Sequence, residues 1–394
     1  MSPPTTDRDA AGGAAEGGRK PTAATLDVRQ KVTAEVLSRC DSYDELEDGY
    51  ALSYPNTRAW QERLDIFTTA WRISCPQMTF DVVSDAGADP MVMHIRGPEG
   101  TKAFVDGARY MLTSHINPAP TLKMRVEKAT RFLTNPLRTL PDFLIIGAKK
   151  CGTTALYSYL TQHPCITPAF KKEIYFFNAF YRKGPGWYRA FFPTKAACKR
   201  NAVNGQKQLT GEATPDYLFH PRAASRIQGM LPDARMMAIL RNPVDRAYSF
   251  YNHNLRAGLE TLSFEDAIDK EEERLAGKRE TILERDDYFS FEFMHYSYVA
   301  RGLYIDQIEE WLQYYTRDQL LVLQNERLYT HPKEVLSEAF AHLGLAYHEP
   351  AKFKRLNAAP YYPDMDPKTR ARLEELFRPW NERLYEFLGR DLEW

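Results

Sequence analysis

The stretch that decides the fold is Pro141–Pro164, which reads PDFLIIGAKKCGTTALYSYLTQHP. An apolar run from Phe143 to Ile146 leads into a loop framed by Gly147 and Gly152, and a helical pattern of apolar residues follows at once. A strand, a glycine loop and a helix in this order place backbone N–H groups around a phosphate. The stretch therefore predicts a phosphate-binding loop between a strand and a helix.

The lysines of this loop are placed differently from the lysine of the nucleoside-triphosphate hydrolases, whose loop reads GxxxxGK[ST]. The two glycines keep the same separation, but Lys149 and Lys150 precede the second one, and Thr153 and Thr154 follow it. In the hydrolases the lysine and the hydroxyl serve the β- and γ-phosphates and Mg²⁺. The displaced lysines indicate a donor with a different phosphate geometry. An ordinary glycine turn before a helix is the alternative interpretation.

The next strongly apolar strand carries no acidic metal ligand at its end. It is predicted at Met236–Leu240, and Arg241 and Asn242 follow it. A protein that binds phosphate without this carboxylate needs a donor that reacts without Mg²⁺. A sulfuryl group carries less negative charge than a phosphoryl group, so lysine and backbone dipoles can suffice for its transfer.

A second motif begins at the end of that strand, where residues 241–251 read RNPVDRAYSFY. Pro243 suits the first turn of a helix, since its missing N–H is not needed there. Arg241 then lies at the carboxyl end of a strand, where α/β sheets bind ligands. An arginine fork and the hydroxyl of Ser249 can together bind a dianionic phosphate. The alternative is an arginine that caps the strand and pairs with Asp245.

With these two motifs, the chain resembles the sulfotransferases that use 3′-phosphoadenosine 5′-phosphosulfate (PAPS) and release 3′-phosphoadenosine 5′-phosphate (PAP). The first motif resembles their 5′-phosphosulfate loop and the second their 3′-phosphate site. The resemblance covers about Pro141 to Trp394 and is closer to the carbohydrate branch, especially the heparan sulfate glucosaminyl 3-O-sulfotransferases. Further matching motifs lie at Lys172–Phe177, Lys183–Tyr188, Gly211–Pro215, Gly302–Tyr304, Glu326–Leu328 and Phe377–Asn381.

The resemblance implies a role for each matching residue. Lys150 would contact the 5′-phosphate and the leaving oxygen, and Arg241 and Ser249 would bind the 3′-phosphate. Glu173 would be the general base that takes the proton of an acceptor hydroxyl. We expect the apolar residues after Glu173 to raise its pKa by desolvation; the alternative is a solvated glutamate paired with a neighbouring lysine. The other residues assigned to the nucleotide are Lys149, Cys151, Gly152, Thr153, Thr154 and Tyr361.

The chain departs from the 3-O-sulfotransferase pattern at two places. Ala213 stands where that branch has a lysine. Residues 357–362 replace its disulfide hairpin and Lys-Gly-Arg loop, so the backbone or Tyr361 would have to close over the nucleotide. His220 and His253 do not follow the motif of the catalytic histidine of the cytosolic branch, and we interpret both as core or surface histidines.

Composition is that of a soluble enzyme. The 394 residues contain 52 basic and 52 acidic side chains and 43% hydrophobic residues, enough for a packed core. Zero net charge argues against a nucleic-acid or membrane-surface partner. The five cysteines are sparse and lack CxxC pairing, which favours reduced thiols and a cytoplasmic location. From the sequence we expect no membrane-spanning stretch, no secretory signal and no counterpart of the Golgi anchor expected of animal relatives.

The chain divides into four predicted segments: a disordered tail (1–24), a small α+β domain (25–117), a linker and helix (118–140) and a sulfotransferase domain (141–394). The last is predicted as an α/β fold with a P-loop-like parallel sheet flanked by helices on both faces. In the first domain we predict, in order, a helical pattern over Leu26–Glu47, a strand at Tyr50–Tyr54, a helix at Trp60–Trp71, a hairpin of Met78–Val83 with Met91–Arg96, and a helix at Thr101–Leu112.

The predicted function is transfer of a sulfuryl group from PAPS, in line and without a required metal ion, to a hydroxyl of a small-molecule or carbohydrate acceptor. A thiol nucleophile at Cys151 is less favoured, because in-line transfer needs no covalent step. The rival hypotheses are a P-loop kinase-like phosphotransferase, which would need Mg²⁺, and a non-catalytic nucleotide-binding protein.

The charged segment Leu259–Tyr288 is either a solvated face or a lid over the acceptor. The acceptor and the oligomeric state are not assigned by the sequence.

Overall fold

The structure is a computed structural model of the chain. It describes residues 32, 35–37, 39–74, 78–84, 89–98, 101–102, 105, 122–202, 206–257, 259–286, 288, 290–351 and 365–394. These residues contain an antiparallel sheet and a parallel sheet, and each sheet is described separately below.

The antiparallel sheet has the strand order β1-β2-β4-β3. Its elements are β1 (Ser42–Glu45), β2 (Gly49–Tyr54), helix α1 (Arg58–Ser74), β3 (Thr79–Val83) and β4 (Met91–Arg96). Buried and partly exposed residues alternate along β2 and β4, as expected for a sheet with one covered face. Helix α1 covers that face, where Phe67 and Trp71 stack at 5.3 Å and both contact Phe80.

The predicted hairpin is confirmed, since β3 and β4 pair antiparallel from Thr79↔Arg96 to Val83↔Val92. The helical interpretation of the sequence up to Glu47 is wrong for Ser42–Glu45. These residues form strand β1, which pairs antiparallel with β2. Pairing with a neighbouring strand outweighs local helix preference in this segment. Most of the helix predicted from Thr101 lies outside the described residues, and the four segment boundaries stay predictions.

The parallel sheet has the order β6-β7-β5-β8-β9, and all of its neighbouring pairs run parallel. Its strands are β5 (Phe143–Gly147), β6 (Ile166–Pro168), β7 (Leu209–Ala213), β8 (Arg235–Leu240) and β9 (Leu320–Gln324). Strand β5 lies at the centre and is buried along its whole length, which explains its unbroken apolar run. Strand β6 was not predicted, because three residues ending in proline give little strand signal.

Helices flank this sheet, as predicted for an α/β fold. They are α2 (Leu122–Leu133), α3 (Thr153–Leu160), α4 (Gly184–Arg189), α5 (Lys195–Arg200), α6 (Ala223–Met230), α7 (Pro243–Arg256), α8 (Phe264–Asp269), α9 (Glu271–Leu275), α10 (Lys278–Glu284), α11 (Phe291–His295), α12 (Tyr304–Trp311), α13 (Asn325–Thr330), α14 (Pro332–His342) and α15 (Pro367–Leu388). Short 3₁₀ helices lie at Asn135–Leu137, Tyr181–Lys183, Ala300–Gly302 and Arg317–Gln319.

These helices pack against the sheet and against one another. Helix α3 packs against β5, β7 and α14, and α15 packs against α7 and α12. The charged segment that starts at Leu259 forms the three short helices α8 to α10. Among the described residues, none of the helices has the length and apolar character that crossing a bilayer requires.

Candidate active site

The loop between β5 and α3, residues 148–152, turns sharply because two of its residues have left-handed backbone conformations. Lys150 has a φ of +70° and Gly152 a φ of +90°. The carbonyl of Gly152 accepts the first helical hydrogen bond of α3, from the N–H of Leu156 at 3.1 Å. The N–H groups of Thr153 and Thr154 therefore have no partner within the helix. A helix start of this kind attracts anions.

Asn325, the first residue of α13, holds this loop in place. Its Nδ2 donates to the carbonyl oxygen of Cys151 at 2.7 Å, and its side chain is buried. A Cβ atom on residue 152 would lie 2.4 Å from the same Nδ2 atom. Gly152 is thus required both by its positive φ and by the close approach of Asn325.

We expect Gly152→Ala to lower the free energy of unfolding by about 1–3 kcal/mol, because the backbone becomes strained and Asn325 must move. The control is Gly277→Ala, since Gly277 has a φ of +68° but a Cβ atom there would meet nothing within 4 Å. Chemical denaturation of both variants measures the difference. The control should lose only the backbone part, and equal losses would contradict the role given to Asn325.

Tyr304 joins the loop to the end of β8. Its hydroxyl lies 3.6 Å from the sulfur of Cys151 and donates to the carbonyl oxygen of Arg241 at 2.9 Å. Tyr304 is buried, so this connection lies within the core. The two motifs that the sequence assigned to phosphate are therefore separated by one side chain, at the same edge of the sheet.

The thiol of Cys151 is a poor nucleophile in this structure. Burial raises its pKa to about 11, against smaller opposing effects of Arg246 and Tyr304. The thiolate is the nucleophilic form of cysteine, and a thiol with this pKa stays protonated at neutral pH. The structure thus favours a structural role for Cys151 in the loop and argues against covalent catalysis by its thiol.

Lys150 lies in a cluster of positive charges. Burial lowers its pKa most, and the charge of Arg256 lowers it further. Lys149 and Arg241 add to this effect, whereas Glu173 opposes it, and the resulting pKa is about 8. Within the described part of the chain Lys150 makes no ion pair. An anion bound beside it would relieve the repulsion between these cations.

One face of α7 continues this cluster. Ser249, His253 and Arg256 are spaced four and three residues apart, so they share one side of the helix. Burial and then the charge of Lys150 lower the pKa of His253 well below its usual value, so its ring is neutral. Because Lys150 acts on His253 and Arg256 acts on Lys150, Ser249 lies on the side of α7 that faces the loop. The sequence interpretation of His253 as an ordinary core or surface histidine missed this position.

Glu173 lies in the same neighbourhood, since its charge acts on Lys150. It has a φ of +58°, and its N–H donates to the carbonyl oxygen of Ala213 at the end of β7, at 3.1 Å. Its carboxylate accepts hydrogen bonds from Nζ of Lys172 and, at 2.7 Å, from the hydroxyl of Tyr175. The structure therefore brings the predicted general base and the predicted loop lysine together.

The expected rise in the pKa of Glu173 is wrong. Burial does raise it, but the ion pair with Lys172 and the hydrogen bonds from Lys172 and Tyr175 outweigh burial, and the pKa lies below its usual value. Phe176 and Phe177 are buried in the main core. Glu173 is therefore ionised at neutral pH, the state in which a carboxylate accepts a proton.

Lys149 pairs with a carboxylate that the sequence analysis missed. Its Nζ lies 3.2 Å from Oδ1 of Asp216, and Nη2 of Arg301 lies 3.0 Å from the same oxygen. Asp216 is only 1% exposed, and although burial raises its pKa, the two cations outweigh burial and lower it. The only sequence signal for Asp216 was its position directly after the matched Gly211–Pro215 motif.

The contacts of Glu212, one residue before Ala213, indicate a structural role. It is fully buried, and its carboxyl accepts hydrogen bonds from the hydroxyls of Tyr188 at 2.6 Å, Thr214 at 2.7 Å and Tyr217 at 3.2 Å. Burial raises its pKa. These contacts tie β7 to the turn that follows it.

Two further sequence proposals have different outcomes. Asp245, the suggested partner of the motif arginines, pairs with Arg370 of α15 at 2.6 Å. The guanidinium of Arg246 is fully buried and donates to the carbonyl oxygen of Tyr298. Tyr361, predicted to close over the nucleotide, lies outside the described residues, as do all of residues 352–364.

Comparison with known proteins identifies a family. The sulfotransferase domain family matches residues 140–357. The membrane-associated sulfotransferase kil1 of Dictyostelium discoideum is 28% identical over 324 residues, which cover 66% of this chain and 67% of that protein. The human heparan sulfate glucosamine 3-O-sulfotransferase 3B1 is 30% identical over 280 residues, which cover 65% of each protein. The chain thus spans just under two thirds of the length of the human relative.

The chain is also similar to solved structures of sulfotransferases. A sulfotransferase from Alicyclobacillus acidocaldarius has a TM-score of 0.48 at 34% identity, covering 64% of this chain and 98% of that one. A mouse sulfotransferase, SULT7A1, solved in complex with PAP, has a TM-score of 0.36 at 15% identity, covering 65% of this chain and 90% of that one.

Proposed function

Because the chain belongs to the sulfotransferase domain family, we propose that it transfers a sulfuryl group from PAPS to a hydroxyl of a carbohydrate or another small-molecule acceptor. PAPS carries anionic groups at both ends of one adenosine, the 5′-phosphosulfate and the 3′-phosphate. The observation that carries the proposal is that Lys150 and Arg241, from two separate motifs, belong to one cluster of positive charge. A single doubly phosphorylated nucleotide supplies an anion for each motif.

In this proposal the loop and α7 bind opposite ends of the nucleotide. Lys150 and the first N–H groups of α3, with the hydroxyls of Thr153 and Thr154, bind the 5′-phosphosulfate. Arg241 and Ser249 bind the 3′-phosphate. Lys149 stays paired with its carboxylate and adds positive charge to the same region.

The chemical step is an in-line displacement at sulfur. The acceptor oxygen attacks sulfur, the bond between sulfur and the bridging phosphate oxygen breaks, and PAP leaves. Glu173, ionised and within the influence of Lys150, takes the proton of the acceptor hydroxyl. Lys150 and the loop amides stabilise the negative charge on the leaving phosphate. We propose that this cluster of cations makes a metal ion unnecessary.

A carbohydrate acceptor is supported by the relatives, because the human relative is named for the glucosamine of heparan sulfate. The experiment incubates the full chain with ³⁵S-labelled PAPS and panels of carbohydrates, phenols and alcohols, with and without EDTA. Parallel reactions contain labelled ATP and Mg²⁺. The proposal expects label transfer from PAPS, unaffected by EDTA. Transfer from ATP alone, or PAP binding without transfer to any acceptor, would instead support one of the two rival functions.

Binding of PAP should weaken as the pH rises through the pKa of Lys150. That pKa is about 8 in the free protein, and a bound phosphate raises it, so binding takes up a proton above pH 8. Once Lys150 is neutral in the free protein, the affinity should fall up to about tenfold per pH unit. His253 and His295 do not contribute, because both have pKa values far below this range. Calorimetry from about pH 7 to about pH 9.5 measures the slope.

The control for this pH dependence is Lys150→Ala, which should bind PAP weakly and lack the slope above pH 8. A wild-type affinity that stays constant over the whole range would contradict the assignment of Lys150 to the phosphate.

A further inference from the structure

Asp216 has one carboxylate oxygen that the ion pairs do not use. Its Oδ1 serves both Lys149 and Arg301, at 3.2 and 3.0 Å. Its Oδ2 is buried and has no hydrogen-bond partner among the described residues. Burying a carboxylate oxygen without a hydrogen bond costs free energy. We therefore expect a hydrogen-bond donor from outside the protein at this atom.

His295, at the end of α11, has an unused atom in the same neighbourhood. Its Nδ1 is buried and lacks a hydrogen-bond partner among the residues described. Burial, followed by the charge of Lys149, lowers the pKa of His295 to about 3, so the ring is neutral. Arg301 links the two residues, since its Nη2 lies 3.0 Å from Oδ1 of Asp216 and donates at 3.4 Å to the carbonyl oxygen of Met294, the residue before His295. Asp216 and His295 therefore lie in one region, where each also acts on the other electrostatically.

A small cavity lies next to this region. Its lining includes Asn178, His220, Phe293 and Met294, the last being the chain neighbour of His295. The charge of Asp216 also acts on the pKa of His220. Nδ2 of Asn178 is a further buried atom that has no partner in the described structure. One of the unpartnered polar atoms, Nδ2 of Asn178, therefore belongs to a residue that lines this cavity.

A hydroxyl group suits the two unused atoms better than a carboxylate or a cation does. A hydroxyl both donates and accepts, so it can donate to Oδ2 and accept from an Nδ1–H. A second carboxylate would be repelled by Asp216. A cation would add a third positive charge to a carboxylate that already pairs with Lys149 and Arg301.

We propose that Asp216 Oδ2 and His295 Nδ1 bind a second, non-reacting hydroxyl of the acceptor. This proposal rests on the proposed function, in which Glu173 receives the reacting hydroxyl. The N–H of Glu173 donates at 3.1 Å to the carbonyl oxygen of Ala213, three residues before Asp216, and the charge of Asp216 acts on Glu173. The two carboxylates thus lie on one side of the site, and an acceptor with neighbouring hydroxyls engages both. The favoured substrates are polyhydroxylated compounds such as sugars, rather than phenols or simple alcohols.

The test measures binding of probe acceptors to the PAP-saturated full chain by calorimetry. The probes are methyl glycosides of glucose, galactose, mannose and N-acetylglucosamine, with cyclohexanol as the mono-alcohol. Wild type should bind at least one glycoside at least about tenfold more tightly than cyclohexanol, because the buried groups stay unpaired with the mono-alcohol. Equal affinities, or no binding of any glycoside, would overturn the proposal.

Two variants locate the second hydroxyl. His295→Phe keeps the ring that stacks on Phe291 at 4.5 Å and all charges, so it should fold. Asp216→Asn keeps one oxygen but replaces the other by a donor. Each should weaken glycoside binding by about tenfold or more and leave cyclohexanol unchanged.

PAP affinity separates this proposal from the proposed function. It should stay within about twofold in His295→Phe and in the control His331→Phe, whose histidine is exposed. If wild type does not bind PAP, that result would count against the proposed function itself. Intact PAP binding with unchanged glycoside affinity in His295→Phe would reject the second hydroxyl site alone.

Discussion

Lys150→Ala is expected to lower kcat for sulfuryl transfer from PAPS by about 10²- to 10³-fold, as when one charge-stabilising donor is removed from other active sites. Lys150 is partly buried beside Arg241 and Arg256 without an ion-pair partner among the described residues, so its charge is available to the leaving phosphate. Steady-state kinetics with labelled PAPS and the best acceptor of the panel measure the loss. PAP affinity should fall as well, since the same charge binds the product.

The matched control is Lys171→Ala, because Lys171 is an exposed lysine outside the charge cluster. Its kcat should stay within about twofold of wild type. A Lys150→Ala enzyme with full turnover would count strongly against the proposed role of the loop.

Glu173→Gln is expected to lower kcat by about 10²- to 10⁴-fold, the usual contribution of a general base. The amide keeps the size of the side chain and can still accept the hydrogen bond of Tyr175, but it cannot take up a proton. The affinity for PAP should change by less than about twofold, because Glu173 acts on the acceptor and not on the nucleotide. Calorimetry and steady-state kinetics on the same preparation separate the two effects.

Glu309→Gln is the control for the loss of a paired glutamate. Glu309 is ion-paired with Arg383 on the surface, and its replacement should leave turnover unchanged. Turnover of Glu173→Gln at the wild-type rate would mean that another group takes the proton. A matching loss of PAP affinity would mean that the substitution disturbs the loop instead of the chemistry.

The sequence predicted those parts of the candidate site that depend on local signals, and their roles stay predictions. A glycine loop after an apolar strand located Lys150, and an arginine at a strand end before Pro243 located the second motif. Both signals lie within a few residues of the chain and reflect the geometry of a strand followed by a helix. The parallel sheet followed from the alternation of strands and helices for the same reason.

The parts that were missed depend on contacts between distant segments. The pairing of Asp216 with Lys149 and Arg301 joins three separate turns, and no local pattern specifies which cation a buried aspartate meets. The pKa of Glu173 was expected to shift in the wrong direction because the apolar character of its neighbours was visible in the sequence, whereas the direction of the Lys172 side chain was not.

The measurement that tests the central claim most directly compares the affinities of Arg241→Ala and wild type for PAP and for adenosine 5′-phosphate, which lacks the 3′-phosphate. If the two motifs bind opposite ends of one nucleotide, wild type prefers PAP by about 10- to 100-fold, the value of a charge-assisted contact. The variant should lose this preference while keeping its affinity for adenosine 5′-phosphate. Equal weakening for both nucleotides, or a preserved preference for PAP, would contradict the account.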